Sequence, residues 1–470
     1  MKKALSLYLL LLGTLSLSAQ FDTLHLSEPR GGIETAVFGD SILFVGGSFS
    51  RTVDYFRTSD FSITSEEYNN DGFSSATVVQ NDDFAVFFNL GGVNLLLTEM
   101  IIFDRRTGTW SKDVYPDVGS SSLRMENGFL EGNQLFLFPS NQPSQIYQYD
   151  LISREWTALD APFIRRSTVL VDTGDKVFFM GGKTSFTEFS NEVDVYTRSS
   201  QAWESFELKE AKAGFTAVRY ADKIVIAGGE SSTVNADRSV DMVEIIDIGD
   251  YAIETLKLSR KKNEMTGLAV DNKVIFAGGN SKEAEVINMD TREITVQPLE
   301  AEFDLKMLTS GKVGNLAVFA GGNDRDGDLI YLYDAVNDSW SSLPLEPARV
   351  RMTFVEKEEL LFLAGGLVDF GDGEFDDILV FRDLTTPVRE QVRYADLQLY
   401  PNPTARQLNI TAGELHMQEI RLYDVSGSLL QTFYPAAETE TLDVSKLAKG
   451  VYLLTIRLAD GLAVGRFVKE

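Results

Sequence analysis

The chain has 470 residues, 44% of them hydrophobic, with a formal net charge of −27 and no cysteine. That hydrophobic share belongs to a folded globular protein and excludes a disordered chain. The negative field repels nucleic acid and anionic membrane surfaces, and the missing cysteine excludes disulfides and thiol chemistry, leaving core burial to hold the fold.

At the N-terminus Lys2 and Lys3 precede an apolar stretch from Ala4 to Leu17, then Ser18 and Ala19. Charged, apolar and small residues in that order predict a secretory signal peptide over residues 1–19. The stretch is short for a membrane span and is interrupted by Thr14 and Ser16. No other segment is long and apolar enough to cross a bilayer, so no transmembrane segment is expected.

From residue 20 to residue 384 the chain repeats itself. Seven hydrophobic runs end in glycine pairs beginning at Gly46, Gly91, Gly181, Gly228, Gly278, Gly321 and Gly365. Successive pairs lie roughly 45 residues apart, a spacing typical of propeller blades. One gap is double-length and holds a decayed copy, Leu135-Phe136-Leu137-Phe138 followed by Pro139-Ser140. Eight units result. Within the unit Asn315 to Leu345, the runs Leu316–Ala320, Leu329–Tyr333 and Trp340–Leu345 read as three strands, with an innermost strand upstream around Leu308-Thr309. Four strands per unit predict a small antiparallel sheet.

The four tryptophans, Trp110, Trp156, Trp203 and Trp340, each lie seven residues after an aromatic: Phe103, Tyr149, Tyr196 and Tyr333. Large rings at equivalent places are expected to pack unit against unit. A hydrophobic run into a glycine pair, then an aromatic, then Trp at a fixed distance is similar to the kelch-repeat family. That resemblance implies a kelch-type β-propeller, eight blades by repeat count, with the family's usual six or seven as the alternative. The third unit departs from the pattern by lacking its glycines, and the fifth, sixth and eighth lack Trp. Asp22 to Ser27 resembles the outer-strand segments Glu254 to Ser259 and Ser342 to Leu345, whereas the eighth unit has no clear outer strand of its own. The N-terminal segment is therefore expected to complete the last blade and remove an exposed edge.

The repeat vanishes at Thr385-Thr386-Pro387, giving a linker over 385–393 and a second domain over 394–470. Its short strands and Gly/Pro turns predict a small β-sandwich, so the whole chain is read as all-β. Tyr400-Pro401-Asn402-Pro403, then Tyr423-Asp424-Val425-Ser426-Gly427, then Leu447-Ala448-Lys449-Gly450-Val451-Tyr452 occur in this order. They resemble the type A C-terminal sorting domain of the type IX secretion system. The resemblance implies the type IX machinery as partner and a secreted or outer-membrane cell-surface location.

Candidate chemistry is sparse. Only His25 and His416 are present, so histidine bases, catalytic triads and His-built metal centres have no inventory in the repeats. No cofactor is called for by a motif. Asp324, Asp326 and Asp328 in one acidic loop, and Asp369 to Asp377 in another, are candidate oxygen ligands for Ca²⁺. Solvated turns in an acidic protein are the competing reading. Basic residues recur before inner strands: Arg30, Arg165, Arg166, Arg260, Lys261, Arg349 and Arg351. Ringing one mouth of the central opening, they would grip an acidic ligand. A blade-linking bond or local charge balance is the alternative for each. The functional expectation is a binding or interaction module for an extracellular protein or glycan. A kelch-type sugar mutarotase or epimerase, another carbohydrate-active enzyme, and a structural surface scaffold are the alternatives.

Overall fold

The computed structural model describes residues 22–68, 72–91, 98–117, 123–231, 238–301, 304–305, 308–322, 328–368, 373–382, 397–412, 417–423, 429–435, 437, 439–458 and 461–470. Residues 1–19 and the expected linker 385–393 lie outside them. The chain divides into two compact units, Met1–Thr385 and Thr386–Glu470. Among the described residues there is no helix, and none that is long and apolar enough to cross a membrane.

The first unit is a β-propeller. Its described residues form eight four-stranded antiparallel sheets, each built from strands consecutive in sequence except the last, which borrows Asp22–His25, and the fifth, which passes over the short strand Glu230–Ser231 paired with Lys212–Ala213. The first sheet runs Glu34–Phe38, Ser41–Val45, Thr52–Arg57 and Ile63–Glu67. Its second strand is buried on both faces, which is why these strands read as unbroken apolar runs rather than alternations. The seventh sheet contains Leu316–Gly321, Leu329–Asp334 and Ser339–Pro344, close to the expected bounds, with Leu308–Val313 innermost. In the third unit Gln134–Pro139 remains a second strand although proline replaces glycine.

The first strand of one sheet neighbours the first strand of the next, and Thr353–Lys357 of the last returns to Glu34–Phe38 of the first. Side chains bridge these inner strands: Asn127 Nδ2 donates to the Thr168 carbonyl (3.0 Å), and the Thr216 hydroxyl to that of Met265 (2.7 Å). Asp22–His25 pairs antiparallel with Asp377–Arg382 as the outer strand of the eighth sheet. The chain's two ends of the repeat thus share one sheet, as expected from the outer-strand likeness.

Apolar clusters lie between sheets rather than within them. One joins Phe129 and Phe138 of the third sheet to Val177, Phe179 and Tyr196 of the fourth. Each Trp sits directly across the hairpin from its aromatic: Phe103 from Trp110, Tyr149 from Trp156, Tyr196 from Trp203 and Tyr333 from Trp340. Trp110 also reaches the preceding sheet, donating its indole N–H to the Tyr55 hydroxyl (2.7 Å). This is the unit-against-unit packing that the fixed spacing predicts.

The second unit has two facing sheets. One contains Leu397–Tyr400, Gln407–Ala412 and Thr439–Asp443, and the other Leu429–Phe433, Met417–Tyr423, Gly450–Leu458 and Gly461–Lys469. Leu408, Ile410, Ile420, Leu442, Leu454, Ile456 and Phe467 form the core between them.

Candidate functional site

Strand order divides the propeller's loops between two faces. Hairpins joining first to second and third to fourth strands share one face and are short turns such as Gly39-Asp40. Connections between sheets share the other face with the loops after the glycine pairs. That second face carries every basic residue singled out in the sequence.

The structure places three of those seven in a repeated joint. Arg30, Arg165 and Arg349 are buried, and so are Lys212 and Lys262. Each precedes an inner strand and reaches a carboxylate on the third strand of its own sheet. Arg30 meets Asp54 and also donates to the carbonyls of Gly46 (3.0 Å) and Thr52 (2.8 Å). Arg165 lies 2.6 Å from both Glu192 and Asp194, and Lys212 lies 2.6 Å from Glu244. Lys262 lies 2.9 Å from Glu285, and Arg349 2.5 Å from Asp377. In three joints the same carboxylate also accepts the backbone N–H three residues before the cation. Ser27 donates to Asp54 (3.2 Å), Lys209 to Glu244 (2.5 Å) and Ser259 to Glu285 (3.0 Å). Burial draws the Arg30 guanidinium below its ordinary pKa, opposed by the charge of Asp54. Burial also pushes Asp194 upward, and Arg165 pulls it back.

The glycine pairs belong to this joint. Gly182 N–H donates to the Lys212 carbonyl (3.0 Å), Gly229 to that of Lys262 (3.0 Å) and Gly366 to that of Arg30 (2.9 Å). In each case the pair of one sheet receives the backbone of the next sheet's cation. Gly228 has φ +66°, and a Cβ there would stand 2.5 Å from the Lys262 carbonyl oxygen. Positive φ and backbone crowding together demand glycine.

Arg30, Arg165 and Arg349 therefore do not line an open mouth. Their guanidinium groups are already engaged, and taking them for a ligand would strand a buried carboxylate. Arg166, Arg260 and Arg351 are different. Arg260 is about half exposed and pairs with Glu283 (2.6 Å). Arg351 is exposed, with φ +55°. Arg166 stacks its guanidinium 4.2 Å from the centre of the Phe186 ring. Phe186 is 85% exposed, at the tip of a turn in which Thr187 and Glu188 N–H groups donate to the Ser185 hydroxyl. Ile164, 64% exposed, lies two residues before Arg166.

Of the calcium candidates, Asp324 and Asp326 lie outside the described residues, as do Asp369 and Asp372. The Asp328 carbonyl accepts the Leu345 N–H (2.6 Å). Among the described residues no group of three or more His, Cys, Asp or Glu side chains is gathered to hold a metal. His25 lies on the outer strand, 3.4 Å from Asp376; His416 is outside the described residues.

The sequence reading missed Lys212, Lys262 and every joint carboxylate except Asp377, which it grouped with the calcium candidates. A signal was present: Val53-Asp54-Tyr55, Val193-Asp194-Val195, Val243-Glu244-Ile245 and Ala284-Glu285-Val286 each set one acid inside an apolar strand. Such an acid needs a buried partner.

Residues 398–470 match the family described as "Secretion system C-terminal sorting domain". They form a type IX sorting domain. Its presence implies export, to the cell surface or the medium. Among solved structures the chain is similar to BamB from Moraxella catarrhalis, with 12% identity over 77% of this chain and 98% of that one, at a TM-score of 0.50. It also matches the dihydro-heme d1 dehydrogenase NirN in complex with DHE, with 13% identity over 67% and 66% of the two chains, at a TM-score of 0.47. The first likeness bears on the fold alone. No curated protein matches the sequence.

Proposed function

We propose that this chain is carried across the outer membrane by the type IX machinery and acts outside the cell as a kelch-type binding module for a protein or glycan. The observation that carries the reading is Phe186, an exposed ring on an ordered turn, with Arg166 stacked on it. An exposed aromatic braced by a cation contributes nothing to the core, and such pairs are favoured where a partner docks. Loops standing on a rigid repeated frame are the usual place for specificity. Arg166, Arg260 and Arg351 are the proposed ligand contacts, while Arg30, Arg165 and Arg349 support the frame beneath them.

Two experiments test this. Deleting residues 394–470 in a type IX-competent host should leave a folded propeller in the periplasm; finding it on the surface or in the medium refutes the export reading. The purified propeller should bind members of a glycan array or an extracellular protein panel, and Phe186→Ala with Arg166→Ser should weaken that binding at least ten-fold. Unchanged binding by the double variant refutes the assignment of this face.

A further inference from the structure

The ring closes without a covalent bond at one place only, where Asp22–His25 joins Asp377–Arg382 in the eighth sheet. The contacts converge on the short segment that follows the closing strand. Leu26 N–H donates to the Asp376 carbonyl (2.6 Å), Arg30 N–H to that of Phe375 (2.9 Å), and Gly32 N–H to that of Arg351 (2.9 Å). Gly366 N–H returns to the Arg30 carbonyl (2.9 Å). These bonds tie the segment to the eighth sheet. The Arg30 side chain points the other way, to Gly46, Thr52 and Asp54 of the first sheet. One residue holds the last sheet with its backbone and the first with its side chain.

We propose that Arg30 is the clasp of the ring. Its side chain presets the segment 26–32 on the first sheet so that the eighth sheet can close onto it, and losing that anchor opens this seam while the interior joints stay shut. The interior joints differ in one respect: at Arg165 or Lys212 the sheets on either side keep all their strands whether or not the cation is present, because no sheet there borrows a strand from elsewhere in the chain.

A second regularity defines what the clasp requires. At the register position of Asp54, arginine meets aspartate (Arg30–Asp54, Arg165–Asp194) and lysine meets glutamate (Lys212–Glu244, Lys262–Glu285), while two residues earlier on the strand Arg165 also meets Glu192 and Arg349 meets Asp377. The longer cation takes the shorter acid, so the combined reach is held constant. Arg30→Lys alone leaves a gap that Asp54→Glu refills.

Amide hydrogen exchange on the full chain tests this. Arg30→Met should speed exchange at least ten-fold in Asp22–His25 and Asp377–Arg382 and leave the third to sixth sheets as protected as in wild type. Arg165→Met should disturb exchange around Phe179 and Asp194 without touching the seam. Arg30→Lys/Asp54→Glu should exchange within about two-fold of wild type, and Arg30→Lys alone should fall between. If Arg30→Met does not fold, the Arg30→Lys single variant decides. Wild-type seam protection in either single variant overturns the clasp, as does uniform loss of protection in every sheet. Failure of the double variant to restore protection overturns the matched reach.

Discussion

The fifth and seventh sheets solve the same joint with opposite chemistry. In the fifth, Lys212 and Glu244 form a fully buried ion pair, and Glu244 takes the Lys209 N–H. In the seventh, Leu305 stands where the cation would be, and Tyr331 where the acid would be; both are buried in one apolar cluster. The Tyr331 hydroxyl donates to the Glu300 carbonyl (3.2 Å), again tying the third strand to the preceding connection. The backbone is conserved across the change: Asn280 N–H donates to the Leu305 carbonyl (3.2 Å) much as Gly229 does to that of Lys262. The joint therefore needs volume, a tie to the connection and a free carbonyl. Charge is one way to supply the first two.

That comparison is most sharply tested by unbalancing the charged joint. Lys212→Met should destabilise the propeller by about 3–5 kcal/mol, because Glu244 would remain buried without its counter-ion. Converting the joint to the apolar form with Lys212→Leu/Glu244→Tyr should recover most of that loss, since replacing a buried pair by packed side chains is often neutral or better. Urea melts of the three proteins check both outcomes. A single variant as stable as wild type would mean that water reaches Glu244 and that the joint is not sealed.

A smaller effect is expected at the receiving glycine. Gly228→Ala should cost roughly 1–3 kcal/mol from the left-handed backbone, with the nearby Lys262 carbonyl adding to it. At Gly278, facing the seventh sheet's apolar joint, a Cβ would stand 3.2 Å from the Leu305 carbonyl, so Gly278→Ala should cost less. Equal melting-temperature losses would break the idea that the charged joints sit closer.

The glycine pairs, the apolar runs and the closing strand were legible because each is written in adjacent residues. So was the sorting domain, whose motifs occur in order within one short segment. The cation recurrence was legible too, but its meaning was not. Arg165 and Asp194, or Lys212 and Glu244, are separated by a hairpin and a loop, and only sheet register brings them together. Reading an arginine before a strand as a ligand grip or as a joint depends on whether a carboxylate faces it. Phe186 was missed for another reason: nothing in the local sequence distinguishes a ring at an exposed turn from one folded inward.

The last prediction concerns an acid on an inner strand that is held by a backbone N–H. Glu34 starts the first inner strand and accepts the Ala76 N–H of the second sheet (3.0 Å). Burial raises its pKa from 4.5 to about 7, and that hydrogen bond opposes the shift. A folded-state pKa above the unfolded one means that the native ring binds the proton more tightly. The contribution is fully present below pH 4.5 and is lost as pH rises through about 7. Glutamine keeps the accepting oxygen and removes the titration. Glu34→Gln should therefore be more stable than wild type by roughly 2 kcal/mol at pH 8 and indistinguishable from it at pH 4.5. Thermal melts of both proteins across that range compare like with like, since every other carboxylate is shared. A difference that does not grow between pH 5 and pH 7.5 would place Glu34 in contact with solvent and leave the inner strands, unlike the joints, without a buried acid at this position.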